Sequence, residues 1–385
     1  MLKWRNVASA ACLTVLSVGV AHAIEIEANF DYTPSGDVCA AGSTTGACEL
    51  ANALLSNDPQ NGINNVVADL TGHTKTVSTV DPATGDDIFR LGSTSGTFSN
   101  VANTWGLDGG IVLSTGDVQN YGSDYQNKAG FNDPSISDSY LDDVLNPTTP
   151  VVNTGGNTTA AQNEMLEEAA PAVTAGFFDV SQFTLQFDVA EGVDRVYFSV
   201  VFGTEEIDGD GNPPVESIRD AFGIFLENSD TTTTYGTNIA TFDYETASGT
   251  ESEAINSSHT FMQSYGRGGE TALNAILDPS GDGSDPIMLF SADVTAGTNI
   301  LTFILGDAND GSFDSTVYIS GLTTYDPRCD DPDYGNAGGG GLSAIGNCAI
   351  AGGNPPPGGG TVSEPASLAL IGLGLLGLGF RNRKS

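Results

Sequence analysis

Basic side chains are scarce: 12 Lys and Arg stand against 49 Asp and Glu in 385 residues, a formal net charge of −37. So few cations cannot neutralise a phosphate backbone by counterion release, and a surface of this sign repels anionic lipid. Nucleic acid is therefore excluded as a partner. Histidine is rarer still, with only His22, His73 and His259. None lies in a His-Glu-x-x-His helix, and the chain lacks a Gly-x-Ser-x-Gly elbow, so two common hydrolytic arrangements are missing. Five cysteines occur without any Cys-x-x-Cys spacing, which argues against structural zinc. No internal repeat of solenoid or propeller period is present. Helical periodicity is confined to two short stretches, Glu49 to Leu55 and Gln162 to Ala169.

The two ends differ from the rest. Lys3 and Arg5 precede an apolar stretch from Val7 to Val20, and Ala21-His22-Ala23 has the small-x-small pattern that signal peptidase accepts. Residues 1–23 read as a signal peptide, so the mature chain starts near Ile24 without Cys12 or His22. At the other end, Ser363-Glu364-Pro365 leads into an apolar run from Ala366 to Phe380, closed by Arg381, Arg383 and Lys384. At about 1.5 Å of rise per residue this run falls short of a ~30 Å hydrocarbon core, and its basic end belongs on the cytoplasmic side. Residues 363–385 resemble the PEP-CTERM sorting signal of Gram-negative bacteria, with Ser363 where the signal usually has its first Pro. The resemblance rests on Glu364, Pro365, the Gly-rich apolar run, Arg381 and Arg383. It implies export, transient inner-membrane retention by the tail, and cleavage by an exosortase-type processing enzyme that passes the protein to the cell surface or extracellular matrix. Gly372-Leu-Gly-Leu-Leu-Gly377 meets the dinucleotide-binding spacing inside this tail, where no following helix or second strand exists to give it meaning.

Removing both ends sharpens the charge. They hold five of the 12 basic residues and one of the 49 acidic ones, leaving seven basic and 48 acidic side chains in residues 24–362. Clustered carboxylates in loops are the oxygen ligands that Ca2+ prefers; the competing reading is solubility alone. Four cysteines remain for an oxidising compartment, and local pairing predicts Cys39 with Cys48 and Cys329 with Cys348.

The mature chain reads as all-β, an antiparallel β-sandwich of jelly-roll type with one or two short helices. Phe183 to Val189 alternates apolar and polar residues, whereas Arg195 to Phe202 is almost continuously apolar and belongs inside the sandwich. Further strands are expected at Gly110 to Ser114, Phe222 to Leu226, Asn238 to Phe242, Ile287 to Ala292, Asn299 to Leu305 and Thr316 to Leu322. The domain is placed at 24–325, followed by a Gly/Pro-rich spacer at 326–362 that ends in Pro355-Pro-Pro-Gly-Gly-Gly360.

Six segments in order resemble the choice-of-anchor L domain: Gly110-Ile-Val-Leu-Ser-Thr-Gly-Asp117, Phe178 to Asp188, Val200-Val-Phe-Gly-Thr-Glu-Glu-Ile207, Asp220-Ala-Phe-Gly-Ile-Phe-Leu226, Asn238-Ile-Ala240 and Leu305 to Ser315. Within the third, Gly203-Thr204 and Ile207 depart from the family's usual Ala-Ser and aromatic residue. The resemblance implies an exported β-rich domain found joined to different surface-anchoring signals, without enzymatic activity.

Asp208, Asp210 and Asn212 occupy the first, third and fifth places of an EF-hand loop, but Pro213 and Arg219 stand where Gly and the bidentate Glu are required. An EF-hand is excluded. A Ca2+ site built from separate loops remains, with Glu205, Glu206, Asp220, Asp307, Asp310 and Asp314 as ligands; their convergence is implied by the resemblance and by strand order. The alternative is ordinary turn-forming Asp and Asn. Glu205 and Glu206 are a poor glycosidase pair, because neighbours on a strand point to opposite faces. Trp105, Tyr121, Tyr125 and Tyr140 could stack on surface polysaccharide, or simply pin loops to the sheet. The expected role is a non-enzymatic binding or structural module of the cell surface or biofilm matrix. A secreted hydrolase of matrix polysaccharide and an ice-binding protein are the rival expectations.

Overall fold

Two consecutive strands, one alternating and one apolar throughout, set the architecture. The computed structural model describes residues 24–32, 38–44, 46–55, 62–80, 87–99, 107–121, 158–171, 173, 176–206, 219–246, 249–264, 273, 275–279, 286–308, 314–327 and 336–337. In chain order the elements are β1 (Glu25–Ala28), α1 (Gly46–Leu55), β2 (Ile63–Thr71), β3 (Thr74–Val80), β4 (Asp87–Ser93), β5 (Ser95–Ser99), β6 (Gly109–Ser114), α2 (Ala160–Ala169), β7 (Phe177–Val189) and β8 (Arg195–Thr204). They continue with β9 (Ala221–Glu227), β10 (Thr237–Asn238), β11 (Thr241–Thr246), β12 (Gly249–Ala254), β13 (Met262–Ser264), β14 (Ala275–Leu277), β15 (Met288–Asp293), β16 (Gly297–Ala308), β17 (Ser315–Thr323) and β18 (Asn336–Ala337). The expected signal peptide at 1–23, the tail at 363–385 and the expected Cys329–Cys348 pairing lie outside the described residues.

The strands form an all-β sandwich. One sheet runs β1-β5-β6-β17-β8, with β14 and β15 sharing the far edge of β8; β13 extends β14. The facing sheet runs β10-β9-β16-β7-β2. Pairing is antiparallel except for β18, which lies parallel to β15. Hairpins β3–β4 and β11–β12 stand apart from both sheets.

Period-two alternation explains the two sequence patterns. On β7, Phe183, Leu185, Phe187 and Val189 enter the central core, while Gln182, Thr184 and Gln186 take the other face. On β8, Val196, Phe198, Val200 and Phe202 enter the same core, and Val201 packs into a second cluster with Phe98, Val112 and Tyr318. A strand buried on both faces needs apolar residues at nearly every position. Phe198 links the layers: its ring stacks on Phe290 of its own sheet at 5.9 Å and meets Phe303 of the other edge-on at 5.2 Å.

Both expected helices form. In α1, Ala47, Leu50, Ala51 and Leu54 make one buried stripe, and a Cys39–Cys48 disulfide clamps the incoming loop to its first turn. Thr159 caps α2 through a reciprocal capping box with Gln162, and Met165, Leu166 and Ala169 pack onto Val180, Phe225 and Ile304 on the outer face of the five-stranded sheet.

One expectation requires correction: Asn238 to Phe242 is not a single strand. Asn238 Oδ1 accepts the N–H groups of both Ile224 and Ala240, which turns the chain between β10 and β11 and hands it from β9 to the β12 hairpin.

Candidate functional site

At one end of the sandwich the inward rows run out of hydrophobic residues and into acid. Val200 and Phe202 on β8 are followed in the same parity by Thr204 and Glu206. Ile224 and Phe222 on β9 lead back to Asp220, and Phe303 and Leu305 on β16 lead on to Asp307. Side chains two apart share a face, so these carboxylates are aimed at the mouth of the core. Glu206, Asp220 and Asp307 are 8 %, 0 % and 1 % exposed, and each places an oxygen within 4.8 Å of the others.

Hydrogen bonds fix Asp220 from both sheets. Its Oδ1 accepts from Ala308 N–H at 3.2 Å and its Oδ2 from the Ser315 hydroxyl at 2.6 Å. Its own N–H donates to Ser257 Oγ, and its carbonyl accepts from Ser257 N–H, both at 3.0 Å. Ser315 Oγ also lies 2.9 Å from Thr204 Oγ1, which in turn accepts Glu206 N–H at 3.0 Å. Opposite β7, the register of β16 shifts between Leu305 and Asp307, and Asp179 there adopts a φ of 46°.

The end of β6 closes the mouth. Thr115 exchanges two hydrogen bonds with Ser315, N–H to carbonyl at 3.0 Å and N–H to Oγ1 at 2.9 Å. Gly116 then lies so close to Asp314 that a Cβ would stand 1.8 Å from its Oδ2. Any larger residue would displace the Asp314 carboxylate. Asp117 Oδ1 accepts from Ser93 and Gln119 N–H, which starts the 3-10 turn Val118–Tyr121.

Of the expected ligands, then, Glu206, Asp220 and Asp307 lie together. Glu205 has the opposite parity and points to the outer side of its sheet, where Tyr121 Oη donates to Oε1 at 3.4 Å. Asp314 packs against Gly116 and is not one of the three that converge; its carbonyl accepts Glu205 N–H at 2.9 Å. Asp310 lies outside the described residues, as do Asp208, Asp210, Asn212, Trp105, Tyr125 and Tyr140. The sequence reading missed Ser315, Thr204 and Thr115, the hydroxyls that set the carboxylates in place. Counting back by twos from Val317 would have found Ser315.

Three ionised carboxylates at this spacing repel by on the order of 3 kcal/mol per pair at an effective dielectric of ~20. A hard cation relieves that strain, and oxygens on a shell of about 2.4 Å radius lie no more than about 4.8 Å apart. The donor set is all oxygen, which suits Ca2+ rather than a soft metal.

A second polar feature backs onto this end through Ser257. His259, 3 % exposed, accepts Phe261 N–H on Nδ1 at 3.1 Å, so the neutral ring carries its proton on Nε2, 3.9 Å from Glu253. Burial lowers its pKa from the ordinary value, with Glu253 partly opposing. Below about pH 6.5 the unfolded chain therefore binds a proton that the native ring resists, and stability falls as pH drops. Urea melts between pH 7.5 and 5 should lose less stability for His259→Gln than for the parent. Equal slopes would remove His259 from the acid response.

Residues 55–323 match the family model of the choice-of-anchor L domain, and residues 361–384 match that of the PEP-CTERM protein-sorting motif. No curated protein matches the chain at a significant level. Neither model describes an enzyme family; one concerns surface anchoring and the other sorting. Among the described residues no helix is long and apolar enough to cross a membrane. With a matched domain over most of its length and a sorting motif behind it, the chain belongs to the choice-of-anchor L family and is an exported, surface-sorted protein.

Proposed function

We propose that the protein is a non-enzymatic binding or structural module of the cell surface or biofilm matrix whose acidic end is held together by Ca2+. The observation that carries this reading is the joint termination of inward rows from both sheets in Glu206, Asp220 and Asp307, all within 4.8 Å and all buried. Turn-forming acids sit in solvent, whereas these sit at the mouth of the core. Ca2+ there would tie β8 of one sheet to β9 and β16 of the other, stiffening the loops that leave this end. An exosortase-type protease would free the chain after transient inner-membrane retention in a Gram-negative cell, and surface polysaccharide is the partner that such a location offers.

Titration calorimetry on the mature secreted protein, stripped with EDTA, is expected to show saturable Ca2+ binding that Glu206→Gln weakens at least tenfold. Absence of heat and of any shift in melting temperature at millimolar Ca2+ would retire the metal. Turnover of a polysaccharide that disappears in Glu206→Gln would replace the non-enzymatic reading with the hydrolase. Thermal hysteresis would favour ice binding instead.

A further inference from the structure

We propose that the groove beside α2, on the outer face of the five-stranded sheet, binds a neutral hexose-rich glycan. It goes beyond the reading above by assigning a second site, and it relies on surface exposure of the protein but not on Ca2+. The groove encloses about 370 Å³, within the size range of small-ligand sites. Its floor is a cross-strand grid: Asp69 of β2, Thr184 of β7 and Thr302 of β16 stand in one register row, and Thr71 and Gln182 in the next.

That grid is wired together before any ligand arrives. Gln162 Nε2 donates to Gln182 Oε1 at 2.9 Å, Gln182 Nε2 donates to Thr184 Oγ1 at 3.1 Å, and Thr184 Oγ1 lies 3.2 Å from Thr302 Oγ1. The capping box at the start of α2 fixes Gln162 itself. The chain crosses from helix to β7 to β16 and removes rotamer freedom that a ligand would otherwise have to quench. An amide has two donor hydrogens and two acceptor lone pairs. Gln182 commits one of each to its neighbours, leaving one donor and one acceptor for the groove.

Such paired donors and acceptors match the hydroxyls of a sugar, each of which both gives and takes a hydrogen bond. An anion would use only the donors. It would also meet the carboxylates of Asp69 and Glu227, which line the same groove and can accept from sugar hydroxyls. Tyr235 supplies an aromatic wall, half-buried and suited to the apolar face of a pyranose.

The test is calorimetry of the mature secreted protein with hexasaccharides of cellulose, laminarin and mannan, with an alginate oligomer as the acidic probe. At least one neutral probe is expected to bind, and alginate is not. Tyr235→Ala and Thr302→Val should each weaken binding by about fivefold to tenfold in a protein that still melts cooperatively. Glu206→Gln in EDTA should leave glycan affinity unchanged, which separates this site from the metal. The proposal is overturned if no neutral probe binds, if alginate binds as well, or if neither groove variant alters affinity in a folded protein.

Discussion

Phe198→Ala is expected to remove about 3–5 kcal/mol of folding stability, a large share of the roughly 5–15 kcal/mol that holds a typical domain together. The ring is 1 % exposed, and its two aromatic partners come from different places: Phe290 is its direct cross-strand neighbour, whereas Phe303 reaches across from the facing sheet. Truncation opens a cavity between two rigid layers. Sheets tied along their length by ladder hydrogen bonds cannot collapse locally into such a gap, so the cost should lie at the upper end of the range for large-to-small changes. Urea denaturation of the mature protein, with the slope checked for two-state behaviour, provides the measurement. A loss below about 1 kcal/mol would mean that the layers are held together elsewhere.

The second large effect is a crossing of two stabilities. With Ca2+ at a hundred times its dissociation constant, the parent should gain about 2.7 kcal/mol and melt higher. Glu206→Gln should lose that gain. In EDTA the same variant should be at least as stable as the parent, because it removes one of three mutually repelling carboxylates. A merely structural Glu206 would be destabilised under both conditions. Asp220→Asn offers a stricter case, since Asp220 accepts from Ala308 and Ser315 and an amide can replace only one of those acceptors; its EDTA baseline should fall. If Ca2+ stabilises Glu206→Gln as much as the parent, the acidic end holds no metal.

Much of this fold was legible. The alternation of β7 and the unbroken apolar run of β8 announced their burial, and helical periodicity marked α2. Two of the strands missed have residues that resemble loops. β2, Ile-Asn-Asn-Val-Val-Ala-Asp-Leu-Thr, is an edge strand with a register shift between Asn64 and Val67, and two adjacent asparagines hide its period. β12, Gly-Thr-Glu-Ser-Glu-Ala, lies in an exposed hairpin with almost no apolar signal. Its existence follows from pairing with β11, a long-range fact that local composition does not carry.

The candidate site was legible in part. Sequence order placed Glu206, Asp220 and Asp307 at strand ends, yet only the parity of each strand decides which carboxylate turns inward. That parity separates Glu206 from Glu205. The role of Gly116 was hidden for another reason: its constraint comes from Asp314, nearly two hundred positions away. The glycan groove escaped notice altogether, because Gln162, Gln182, Thr184 and Thr302 are individually ordinary and acquire meaning only as a connected grid.

β17 starts beside the carboxylates at Ser315 and runs away from them, and the short β18 travels alongside β15 in that same direction. The last described strands therefore both lead the chain away from Glu206.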